Sequence, residues 1–122
     1  MRALIVDDSR FIRQHLRQLL EHVGLSCEEA TDGLEALRIL RGPSEFDFML
    51  VDVNMPQMNG LECVKTLRDA GLHPPMKVMM VTTEADHSFI RRALECGADE
   101  FLMKPFTPES LREKLRMLGM AA

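Results

Sequence analysis

Short aliphatic runs alternate along the chain with longer segments in which apolar residues recur every three or four positions. The first run, Ala3-Leu4-Ile5-Val6, stops at Asp7-Asp8. Phe11, Ile12, Leu16, Leu19, Leu20 and Val23 then fall on one face of a helix, and Gly24 stands where that helix would stop. Leu25 to Ala30 predicts a weaker second strand, and Gly33 to Leu40 a short helix closed by Gly42-Pro43. Phe48 to Asp52 reads as a third strand, its nearly unbroken apolar run matching burial on both faces. Leu61 to Arg68 predicts a helix and Val78 to Thr82 a fourth strand. A helix over 86–96 ends at Gly97, and Phe101 to Lys104 forms a fifth strand cut off by Pro105. Thr107 as N-cap, Pro108 at the first helical position and Glu109 in the first turn open a last helix through Leu111, Leu115 and Leu118. Asn59-Gly60, elsewhere a hairpin signal, precedes helical periodicity here and marks a helix start.

Five strand-then-helix units predict an α/β fold, one domain over 1–122, with a parallel sheet covered on both faces. A 122-residue chain that is 46% hydrophobic and 28% charged suits a single buried core. The net charge of −4 leaves no basic footprint, since Arg91-Arg92 and Lys114-Leu115-Arg116 are small local patches, so direct nucleic-acid binding is not expected. No apolar run approaches the roughly 20 residues that cross a bilayer, and no signal peptide stands at the start; a cytoplasmic protein without membrane insertion is expected. Cys27, Cys63 and Cys96 are widely spaced and predict three buried thiols in a reducing compartment. Ten Met, six Phe and no Trp or Tyr predict an aliphatic, thioether-rich core. His15, His22, His73 and His87 lie outside any cluster and are expected at the surface or at helix ends.

In such sheets ligands bind beyond the carboxyl ends of the strands. Those ends carry Asp7-Asp8, Asp52, Thr82-Thr83 and Lys104, so the sequence predicts one shared site. Three carboxylates brought together repel one another unless a cation joins them. Hard oxygen ligands without clustered His or Cys favour Mg²⁺, with Mn²⁺ as a substitute, and suit the handling of a phosphoryl group. Asp52 could then be a metal ligand, a base or a nucleophile toward phosphorus, and periodicity does not decide among them.

Asp7-Asp8, Asp52-Val53-Asn54-Met55-Pro56 followed by Met58-Asn59-Gly60, Thr82, and Lys104-Pro105 together resemble the receiver domain of two-component response regulators, of the CheY-like chemotaxis type. The resemblance spans the chain. It implies a flavodoxin-like sheet in order 2-1-3-4-5 and phosphorylation of Asp52. Asp8, Asp52 and the Asn54 backbone carbonyl would hold Mg²⁺, with Asp7 acting through a metal-bound water. Lys104 would hold a phosphoryl oxygen, on a cis peptide to Pro105, and the Thr82 hydroxyl would bond another. Thr82 and Phe101 would relay the change to the face made by the fourth helix, fifth strand and fifth helix. Asn54 and Glu84 would tune dephosphorylation. Phe101 stands where chemotaxis regulators commonly carry Tyr, which removes a hydroxyl contact. Thr83 stands where many receivers have a smaller residue, which narrows the approach to Asp52.

The resemblance further implies a phosphoacceptor that catalyses only its own phosphoryl gain and loss. Its donor would be a histidine kinase or histidine phosphotransfer protein, docking on the first helix through Phe11, Ile12 and Arg13. The output would be a downstream protein target or a tethered effector, and the chain a monomer or a weak phosphorylation-dependent dimer. A stand-alone chemotaxis-like regulator is the simplest expectation, with a receiver cut from a longer transcription factor or enzyme as the alternative. A Mg²⁺-dependent phosphatase would need a further general acid and a covering insertion, for which the connections are too short. A nucleotide or flavin module would need a Gly-rich phosphate loop where Asp7-Asp8 stands.

Overall fold

The computed structural model describes residues 1–53, 55, 58–83 and 87–120, the side chains of 87–89 excepted. The element order is β1 (Arg2–Val6), α1 (Arg10–His22), β2 (Ser26–Ala30), α2 (Gly33–Leu40), β3 (Phe48–Asp52), α3 (Gly60–Asp69), β4 (Lys77–Thr82), α4 (His87–Glu95), β5 (Glu100–Met103) and α5 (Pro108–Met117). All neighbouring strands run parallel, in the order β2-β1-β3-β4-β5. The α/β, doubly wound architecture expected from the alternating pattern is therefore the observed one.

The strands' period of two sorts their side chains onto two cores. Leu4, Val6, Met49, Val51, Val78 and Met80 share one core with Ala36, Leu37 and Leu40 of α2, Val64 and Leu67 of α3 and Ala93 of α4. Ala3, Ile5, Phe48, Leu50, Met79, Val81 and Leu102 share the other with Leu16 and Leu20 of α1 and Leu111 and Leu115 of α5. Every residue of β3 is buried, as its unbroken apolar run required. Met49, Met76, Met79 and Met80 are fully buried and supply part of the thioether-rich core expected, while Met1 and Met117 are exposed.

Helix starts follow the polar residues before them. Asn59 caps α3 and Thr107 caps α5, each in a capping box whose return partner is Glu62 or Ser110, and Pro108 opens α5. The sequence-derived bounds hold within a residue. At β5 that one residue bears on chemistry, because the strand ends at Met103 and leaves Lys104 just beyond the ladder. Pro105 offers no N–H to continue it, and the Lys104 N–H closes the strand by donating to the Thr82 carbonyl at 2.8 Å. Residue 86, the expected start of the fourth helix, lies outside the described residues.

Two expectations are corrected. Among the thiols only Cys63 is buried; Cys27, on the edge strand β2, and Cys96, at the end of α4, are half-buried. His73 is not an unattached surface residue. Its Nε2 lies 2.7 Å from the Leu40 carbonyl, which can only accept, so Nε2 carries the proton and Nδ1 accepts from the Phe46 N–H at 3.4 Å. His15 and His22 are exposed on α1, with His15 stacked on Phe106, while the His87 side chain lies outside the described residues.

Candidate functional site

The carboxyl ends of β1, β3, β4 and β5 converge as anticipated. Asp7 and Asp8 follow β1, Asp52 ends β3, Thr82 ends β4 and Lys104 follows β5. One carboxylate oxygen from each of Asp7, Asp8 and Asp52 lies within 4.8 Å of the others. Asp7 is 2% exposed and Asp52 4%, whereas Asp8 is open to solvent. The Lys104 ammonium donates to Asp52 Oδ1 at 3.3 Å, so the buried carboxylate of β3 has a cation beside it.

Asp7 is strongly perturbed. Its Oδ1 accepts the Ser9 N–H at 2.8 Å, while Oδ2 is buried with no hydrogen-bond partner among the described residues. Burial pushes its pKa up to about 6; the Asp52 and Asp8 charges add to that, and the Ser9 bond and Lys104 oppose it. A buried, orphaned carboxylate oxygen beside two further carboxylates is a donor set for a hard divalent cation. The residues present therefore fit Mg²⁺ or Mn²⁺.

The loop after Asp52 is held closely. The Val53 N–H donates to the Val81 carbonyl at 3.0 Å, and the Gly60 N–H closes back on the Val53 carbonyl at 3.0 Å. A Cβ at Gly60 would stand 2.5 Å from the Asp52 carbonyl oxygen and 2.9 Å from Val53 Cα, so only glycine lets α3 begin this close to the acceptor strand. Asn54, assigned a backbone ligand and a tuning role, and Glu84, assigned a tuning role, lie outside the described residues.

Thr82 is fully buried at the end of β4, and Thr83 beside it is exposed. Phe101 is half-buried against the core beneath α2, α3 and α4, and the Lys114 ammonium lies 5.1 Å from its ring centre. The Lys104-Pro105 peptide is cis, as expected. Of the anticipated docking residues, Phe11 is 76% exposed and Ile12 leans on the core of α1 and α5. Arg13 does not belong with them. Its side chain is 12% exposed, donating from Nη1 to the Asp7 carbonyl at 2.7 Å and from Nε to Glu29 Oε1 at 3.0 Å. Sequence periodicity missed this role because it depends on β2 lying beside β1 and α1 crossing above both.

Residues 3–116 match the family model of the response regulator receiver domain. A chemotaxis protein CheY homolog of Campylobacter jejuni is 39% identical over 116 residues, 94% of this chain and 89% of that one. The solved chemotaxis response regulator CheY4 of Vibrio cholerae superposes with a TM-score of 0.89 at 38% identity, covering 96% of this chain and 97% of that one. A probable two-component system response regulator/GGDEF domain protein superposes with a TM-score of 0.87 at 30% identity, covering 96% of this chain but 48% of the other. An acidic cluster at the strand ends, a lysine on its buried carboxylate and these likenesses lead to one conclusion: the chain belongs to the response regulator receiver domain family and is a CheY-like signalling domain of a two-component system.

Proposed function

We propose that Asp52 accepts a phosphoryl group from a phosphohistidine of a histidine kinase or a histidine phosphotransfer protein, and that the chain catalyses only this gain and its later loss. The observation that carries the reading is the pairing of a buried Asp52 with Lys104 at 3.3 Å, inside a three-carboxylate cluster. An acceptor must be nucleophilic yet screened from its neighbours' charge, and the Lys104 ammonium beside it supplies screening.

Asp8 and Asp52 would hold Mg²⁺, with Asp7 acting through a water bound to the ion; when bound, the ion screens the phosphoryl oxygens and the carboxylates. A carboxylate oxygen of Asp52 attacks phosphorus in line, an O–P bond forms as the donor's N–P bond breaks, and the electron pair leaves with the histidine nitrogen. Lys104 exchanges part of its contact with Asp52 for a phosphoryl oxygen, neutralising charge in the product. No separate acid or base on this chain is required. Hydrolysis by water then returns Asp52 and releases phosphate.

The same charge drives the response. A phosphoryl group adds about −1.5 to −2 charges and new acceptors, which draw the Thr82 hydroxyl toward the site. Phe101, half-buried on the adjoining strand, follows into the space that Thr82 leaves and alters the face made by α4, β5 and α5, where a protein target binds. Phe11, exposed at the start of α1, serves the donor's docking surface. A cytoplasmic, stand-alone chemotaxis-like regulator fits the likeness to CheY proteins over nearly their full length. A receiver governing a tethered effector is the second reading, supported by the close match to half of a longer regulator/GGDEF chain.

Incubation with phosphoramidate, a small donor with an N–P bond like that of phosphohistidine, tests the reading by whole-protein mass. The wild-type chain gains one phosphoryl group with Mg²⁺ and the folded Asp52→Asn variant gains none. Equal labelling of the two would overturn the assignment.

A further inference from the structure

Asp7 is held at both of its peptide groups. Its N–H donates to the Ala30 carbonyl at 3.1 Å, and its carbonyl accepts from Arg13 Nη1 at 2.7 Å. Because Oδ1 is already taken by the Ser9 N–H, this main-chain anchoring decides where the remaining oxygen, Oδ2, stands. Arg13 is itself fixed: Glu29, immediately before Ala30 on β2, takes Arg13 Nε on one oxygen at 3.0 Å and Arg17 Nε on the other at 2.7 Å. The Arg17 contact has a cost and a use. It holds Glu29 so that its first oxygen faces Arg13, and Arg17 with Arg13 keeps the Glu29 carboxyl below its usual range despite partial burial.

We propose that Arg13 is a positioning residue for the cation site: braced by Glu29, it grips the Asp7 carbonyl and thereby sets the Asp7 carboxylate in the geometry that receives a divalent ion. The proposal rests on reading the Asp7, Asp8 and Asp52 cluster as that ion's site. A guanidinium suits the task because its planar fork bonds a carbonyl and a carboxylate in two fixed directions at once, which a lysine ammonium on a flexible stem does not. Supporting contacts behind metal ligands commonly govern affinity.

The sign of the effect separates positioning from charge. Arg13 is a cation near a cation site, so deleting it would, by Coulomb repulsion alone, tighten Mg²⁺ binding. Loss of the clamp weakens it. The test is calorimetric titration of Mg²⁺, repeated with Mn²⁺, into the purified chain, with folding followed by circular dichroism. Arg13→Met is expected to weaken the cation about 10-fold or more while remaining folded. Arg13→Lys, which keeps the charge but not the fork, is expected between Arg13→Met and wild type. Arg10→Met removes an exposed neighbouring charge and is expected to bind as tightly as wild type or slightly more so. Should Arg13→Met not fold, Arg13→Lys carries the test, because its charge is unchanged and any weakening of the cation reads the lost fork. A folded Arg13→Met or Arg13→Lys chain that binds like wild type, or more tightly, overturns the clamp alone. A wild-type chain that binds neither ion overturns the cation-site reading and the clamp with it.

Discussion

Asp7 carries tension, because its carboxylate is buried with one oxygen unbonded among the described residues and two acids beside it. Its pKa rises from 3.8 to about 6 on folding, so between those values the folded chain holds a proton that the unfolded chain has released. The associated stability is present below pH 4 and is lost as pH climbs through 6. Without divalent cations, Asp7→Asn should therefore raise stability at neutral pH by on the order of 2 kcal/mol and flatten the pH dependence, as read by urea unfolding across that window. An unchanged slope would mean that Asp7 is not the group responsible. The thiols give a second residue-scale expectation. Burial pushes Cys63 up to about 12 and Cys27 up to about 11, so neither should react readily with a thiol reagent near neutral pH until the chain unfolds. Asp7, Asp8, Asp52, Thr82 and Lys104 were legible in the sequence because each stands where an apolar run ends. Arg13 and His73 were not, since their bonds reach across elements whose adjacency no local pattern encodes.

At the scale of elements, the site depends on where α3 begins. Gly60→Ala would press a methyl group against the Asp52 carbonyl and the Val53 backbone, which cannot move aside as a flexible side chain can. We expect a loss of about 1–3 kcal/mol and, in the folded fraction, a larger loss of phosphoryl acceptance than stability alone explains. Wild-type phosphorylation in that variant would show that the acceptor loop tolerates displacement. Thr107→Ala, which removes the α5 cap, should cost about 1 kcal/mol in urea unfolding. Helix starts were readable because capping is a local contract between a side chain and the next turn. The end of β5 was readable as well, in the missing donor of Pro105, though the ladder stops at Met103 and leaves Lys104 one residue beyond it.

The whole molecule is a five-stranded sheet between two cores, with its charged groups of interest gathered at one edge. Rigid packing on both faces lets small rearrangements at that edge be felt on the helices rather than absorbed. A cation that binds only the folded chain must stabilise it, by about 2.7 kcal/mol at a hundred times its Kd. Mg²⁺ should thus raise the Tm of the wild-type chain and leave that of Asp8→Asn nearly unchanged, and equal shifts in both would remove Asp8 from the ligand set. The central claim, that Asp52 is the phosphoryl acceptor, is tested most directly by trapping the product. After incubation with acetyl phosphate, borohydride reduction converts an aspartyl phosphate to homoserine, which peptide sequencing by mass locates. Homoserine at position 52 with Mg²⁺, and its absence with a chelator, is the predicted result; homoserine at Asp7 or Asp8 instead would contradict the account.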